Sequence, residues 1–143
     1  MHSALLLTHL IANGLWIGCI LTEAAFEHRL PKGDPFEAAV ARLHVVVDVW
    51  IETPAFLIVL ATGLMLLTGA PQTPLFHTKI AFGLAAVAVN AWCVWLVFRR
   101  RALFASGDLA GAHRADRIQH KAGGLLIVLI LVALAIGAMH FTG

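Results

Sequence analysis

Residues 122–141 read AGGLLIVLILVALAIGAMHF, twenty positions without one Asp, Glu, Lys or Arg. About 20 apolar residues in a helix cross the ~30 Å hydrocarbon layer of a bilayer. The stretch therefore reads as a membrane span. Three further segments, 3–26, 45–67 and 80–98, meet the same length. The first is too long for a signal peptide, lacks a basic leader and runs into Glu23 and Glu27, so a retained span is expected. With their polar ends the helices are expected over about 3–28, 38–68, 77–101 and 113–142, one transmembrane domain over 1–143. Backbone groups in lipid must be satisfied within the structure. The fold class expected is thus all-α, an integral membrane four-helix bundle.

Composition points the same way. Hydrophobic residues make up 60% of the chain and charged residues 13%, and mean hydropathy is +0.87. Soluble domains are about half apolar and about a quarter charged. The excess excludes disorder and an ordinary soluble surface. Net charge is only +2, and the basic residues are grouped by side, which points away from nucleic acid. Cys19 and Cys93 both fall in apolar segments and form neither a CxxC motif nor a disulfide framework.

The connections set orientation. Residues 29–36 and 68–74 are turns broken by Pro and Gly. The polar stretch 99–121 contains a Ser-Gly-Asp break and then a possible helical lead-in to the fourth span. Arg29, Lys32, Arg42, Arg99, Arg100, Arg101, Arg114, Arg117 and Lys121 fall on one side, and Lys79 alone on the other. Lys and Arg accumulate on the cytoplasmic side. Both termini are therefore expected outside, with a bacterial inner membrane as the setting. Membrane lipid is the expected surrounding. The Gly14–Gly18 pair has the spacing of a helix-dimer motif and admits a homodimer.

Against this background eight histidines are an anomaly. Ionisable groups inside a span are costly and usually face the bundle interior. His9, Trp16, Glu23 and Glu27 recur at seven, seven and four residues, and at ~100° per residue they form one stripe. His44, Asp48 and Glu52 recur at i, i+4 and i+8. Lys79 and Asn90 share a face of the third span, and His120 and His140 mark opposite ends of the fourth.

Two layers are expected. An outer one would gather His9, His77, Lys79 and His140. An inner one would gather Glu23, His44, Asp48 and His120, with Glu52 near the midplane. Bundle cores hold cofactors and metals in this way. The competing reading of Glu23, Asp48 and Glu52 is a structural network that pairs with Arg42, His44 or one another. Asp48 and Glu52 repel unless one is protonated or a cation sits between them. Lys79 alone would simply reach to the interface.

Chemically, paired imidazoles suit haem b, and carboxylates with His suit a divalent ion, whereas copper prefers His with Met or Cys. Only three methionines occur, so a Met-lined copper path is not supported. No GxSxG, HExxH, P-loop or GxGxxG is present, which disfavours hydrolytic and nucleotide-driven chemistry.

His9-Leu-Ile-Ala-Asn-Gly-Leu-Trp16-Ile-Gly18, ending in Phe26-Glu-His28, resembles the first helix of the HemJ-type protoporphyrinogen IX oxidases. Arg42-Leu43, Thr53-Pro54-Ala55 and Thr62-Gly63-Leu-Met-Leu-Leu67 are similar to that family's second helix, and His77-Thr-Lys79 with the later Cys93 to its third. Asn90, where that family carries His, resembles the copper-resistance CopD-type membrane domains. The resemblance covers roughly residues 5–98. It implies haem b and porphyrinogen oxidation, with His9 and Lys79 as the carried-over catalytic positions.

Three functions follow as expectations. The first is a haem-binding membrane protein for electron transfer or porphyrinogen oxidation, with a porphyrin or redox partner. In it His9, His77, His44, His120 and His140 bind cofactor, and Lys79 faces a propionate or substrate carboxylate. The second is a divalent-metal or copper binding or transport protein, with His44, Asp48, Glu52 and Glu23 as ligands. The third is a non-catalytic small subunit of a membrane complex.

Overall fold

A computed structural model describes the backbone of residues 2–29, 32–68, 70 and 73–142, and the side chains of these except 140–142. It consists of four helices: α1 (His2–Arg29), α2 (Glu37–Leu66), α3 (Pro74–Ala105) and α4 (Leu109–Thr142). All four are long and apolar enough to cross a membrane. At 1.5 Å per residue the shortest spans roughly 42 Å, so every helix outruns the ~30 Å hydrocarbon layer.

The polarity of the bundle is inverted relative to a soluble protein. Leu7, Ile11, Leu57, Trp50, Trp95, Val128 and Leu131 are exposed, while Asn13, His44, Asp48, Glu52, Asn90, Arg100 and Gln119 are buried. An all-round apolar helix has no inward apolar stripe to discriminate. The inward direction is marked here by polar and small residues. Ala12, Trp16, Ile20, Ala55, Phe56, Ala86, Leu126 and Ile130 form the central core.

Local chemistry places the helix ends. Thr73 caps α3, its Oγ accepting from Phe76 N–H at 3.2 Å, with Pro74 at the first helical position. Asp108 caps α4 by accepting from Gly111 N–H at 2.8 Å. The polar stretch 99–121 is a tight helical hairpin rather than a long loop. Its Ser-Gly-Asp break is the whole turn, because Gly107 takes φ +81°. Asp108 N–H reaches Leu103 O at 3.0 Å and Gly107 N–H reaches Phe104 O at 3.2 Å, closing α3 with a Schellman motif. Gly107→Ala puts a Cβ in the left-handed region, so a loss of about 1–2 kcal/mol is expected in a detergent unfolding curve.

One irregularity shapes the interior. Residues Asp48–Glu52 of α2 form a π turn, in which Thr53 N–H bonds Asp48 O, five residues back. Pro54 follows directly; it has no N–H for the carbonyl four residues before it, and its ring crowds that turn. A π turn widens the helix and commonly marks a functional position. Here it carries Asp48 and Glu52, 2% and 3% exposed, into the bundle.

Candidate functional site

The site is best built outward from His44 on α2, 7% exposed. Its Nδ1 donates to Glu27 Oε1 at 2.8 Å, and its Nε2 lies 2.9 Å from Glu23 Oε2, both from α1. Asp48, one turn on, places Oδ1 at 3.6 Å from the same Nε2. Gln119 of α4 brings its amide nitrogen to 3.0 Å from Nε2. That ring nitrogen serves one of these groups at a time: as N–H it donates to Glu23, and as a lone pair it accepts from Gln119.

Glu27 is the hub of the group. Arg100 of α3 sits in direct contact with Glu27 Oε1. Its other nitrogen donates to Asp116 Oδ1 of α4 at 2.7 Å. His120 lies 3.5 Å from Glu27 Oε2. All four helices therefore contribute.

Charge bookkeeping is decisive. Glu23, Glu27, Asp48, Glu52 and Asp116 face one guanidinium and the imidazoles of His44 and His120. Even with both imidazoles protonated, two negative charges are in excess. Burying charge without compensation costs several kcal/mol per ion, so protons or a cation must meet the excess.

A cavity of about 180 Å³ runs beside this group, lined by Glu23, His44, Asp48, Glu52, Cys93 and Gln119 among others. We call it the polar cavity. Glu23 Oε1 and Gln119 Oε1 are buried with no protein partner among the described residues. An open mouth of about 420 Å³ lies toward the 106–108 turn, lined by Lys32, Glu37, Arg100, His113, Asp116 and Lys121 among others. There His113 Nε2 pairs with Glu37 Oε2 at 2.9 Å.

A second, mainly apolar cavity of about 130 Å³ lies toward the chain termini and is lined by His9, Asn13, Trp16 and Lys79. Thr62 spends its proton on Ile58 O at 2.6 Å, so it accepts from His9 Nδ1 at 2.9 Å. A Cβ on Gly63 would come 3.3 Å from the His9 ring, and one on Gly137 would come 3.2 Å from Lys79 Cε. Lys79 meets no carboxylate among the described residues and lies 5.9 Å from the Phe76 ring centroid.

The expected inner layer is thus brought together: Glu23, His44, Asp48, Glu52 and His120 share one wall. The outer layer assembles in part. His9 and Lys79 line one cavity, but His77 is exposed and lies off its wall. The His140 side chain lies outside the described residues. Arg42, expected as a counter-charge, is exposed, and Arg100 takes that role. Arg100, Asp116 and Gln119 were not anticipated. Arg100 sits in an arginine run that the sequence assigns to the third connection as an orientation signal, although Asp116 and His120 do carry an i, i+4 signal. No protein-family model matches the chain, and no curated protein or solved structure matches it.

Proposed function

We propose that this chain is a membrane-embedded protein that binds, and serves to move, a divalent cation at Glu23, His44 and Asp48, with Glu52 beside them. The observation that carries this reading is the excess of acidic over basic side chains in the buried group, together with an orphaned carboxylate oxygen at Glu23. One oxygen or nitrogen from each of Glu23, His44 and Asp48 lies within 4.8 Å of the others. The 2.9 Å and 3.6 Å separations from His44 Nε2 bracket the roughly 3.4 Å edge of a tetrahedron with ~2.1 Å metal–ligand bonds. A second such group, Glu27, Asp116 and His120, is already bridged by Arg100, which favours the first. One nitrogen and several carboxylate oxygens suit Mn²⁺ or Zn²⁺ better than Cu(I). The basic 106–108 end would face the cytoplasm.

The test is metal content. Equilibrium dialysis of the purified protein against Mn²⁺ is expected to show one bound ion. Glu52→Gln is expected to weaken binding about 10–100-fold, the range for removing a supporting group at a metal site, and Asp48→Asn, which removes a ligand, at least as much. Content unchanged in both variants would end the reading.

A second reading is favoured by His9 and Lys79 lining one apolar cavity: a haem b or other porphyrin edge held there. Drug-sized ligands occupy about 300–1,000 Å³, and neither cavity reaches that. At His44 and His120 a macrocycle would also have to displace Glu27, which touches both imidazoles. A Soret band in the purified protein that is lost on His9→Ala and kept on His44→Leu would establish this reading instead.

A further inference from the structure

Two cavities lie end to end along the bundle axis, and they share no lining residue. The layer between them is thin. On α1 it falls between Trp16 on the apolar wall and Ile20 on the polar wall; on α4, between Ile130 and Ile127; on α3, between Val87 and Cys93; on α2, between Val59 and Glu52. At the level of this layer Trp16 Nε1 donates to Asn90 Oδ1 at 2.9 Å. Trp16 is 1% exposed and Asn90 0%, and Phe56 lies against the indole with ring centroids 5.9 Å apart. Asn90 also meets the Glu52 side chain at the edge of the polar cavity, so the layer begins directly beyond that carboxyl group. Neither an amide nor an indole exchanges protons readily, and neither carries charge, so this layer interrupts the chain of ionisable groups.

The two sides of the layer differ in what they offer a cation. Toward the 106–108 turn the polar cavity shares Glu27 and His120 with the open mouth. Carboxylates continue in that direction through Asp116 and Glu37; of the cations there, Arg100 is paired with Glu27 and Asp116, and Lys32, Arg117 and Lys121 are exposed to solvent, where their charge is screened. Beyond Trp16 and Asn90 the described lining offers His9 and Lys79 and no carboxylate. A lysine ammonium in a low-dielectric cavity repels a cation.

We infer that the polar site is loaded from one end only, through the mouth between Glu27 and His120, and that the Trp16–Asn90 layer is the barrier that closes it toward the termini. The identity of the ion rests on the reading above; the access route does not.

Cys93 is a native reporter, because its side chain lines the polar cavity. Gly123 lines it too and has open space for a side chain, so Gly123→Cys is a second reporter. The full chain, with Cys19→Ser, is reconstituted in oriented vesicles. Ser106→Cys and Thr73→Cys in separate samples identify the two faces. A membrane-impermeant trimethylammonium methanethiosulfonate is applied from each face. Modification is expected at least about 10-fold faster from the Ser106 face, a barrier difference of about 1.4 kcal/mol. In Trp16→Ala or Asn90→Gly the two rates should converge. Equal rates in the parent, faster entry from the Thr73 face, or no modification at either reporter would overturn the inference. One-sided rates in both opening variants would overturn the barrier assignment. Saturating Mn²⁺ should slow the labelling; sidedness without that protection would sink the metal reading alone.

Discussion

Arg100→Met is expected to destabilise the bundle by about 3–5 kcal/mol, the cost of breaking a buried ion pair by removing one partner. Arg100 is 3% exposed and bridges Glu27 of α1 and Asp116 of α4 from its place on α3. Methionine fills much of the same volume but leaves the Glu27 and Asp116 carboxylates without the guanidinium that bridges them. The effect should therefore arise from the stranded charges rather than from packing. Adding Glu27→Gln and Asp116→Asn to Arg100→Met should recover most of the loss, because the two carboxylates that lost the guanidinium are then neutral amides. Denaturation curves in one detergent decide the matter. A single-variant loss below about 1 kcal/mol would mean that the guanidinium behaves as a solvated surface group.

The largest functional effect is expected at His44. His44→Leu removes the only nitrogen donor from the Glu23, His44 and Asp48 group, and Mn²⁺ affinity should fall by about 100-fold or more, roughly 2.7 kcal/mol. His9→Ala and Lys79→Ala alter the other cavity and should leave that affinity within about twofold, since additivity holds for sites without shared partners. Loss of binding in all three variants would point to general unfolding. Unchanged binding in His44→Leu would remove the candidate site. His44→Leu also strands Glu23 and Glu27, so the variant should be assayed with its stability measured in parallel.

Much of the interior was legible along the chain. His44, Asp48 and Glu52 at four-residue steps share one face, and Glu23 and Glu27 sit one turn apart on another helix; once both helices must cross lipid, their costly groups can only turn inward. The same reasoning brought His9 and Lys79 to one cavity. It failed for His77, which lies near the start of α3 and stays exposed. It also failed for Arg100, which with Arg99 and Arg101 was counted among the connection charges that set orientation.

Four spans, their inward polar stripes and the crowding of acid near one end were determined by the sequence alone. Helix length, apolar run and residue period are local quantities, and an apolar run of this length satisfies its own backbone in a bilayer as a helix. Only the tertiary structure decided that Glu27 meets Arg100 rather than Arg42, that Trp16 bonds Asn90 across 74 positions, and that a π turn swings Asp48 and Glu52 inward. Those outcomes depend on how each rod is rotated and offset against its neighbours. Close packing of side chains from separate helices sets that rotation, and no periodicity within a single helix encodes it.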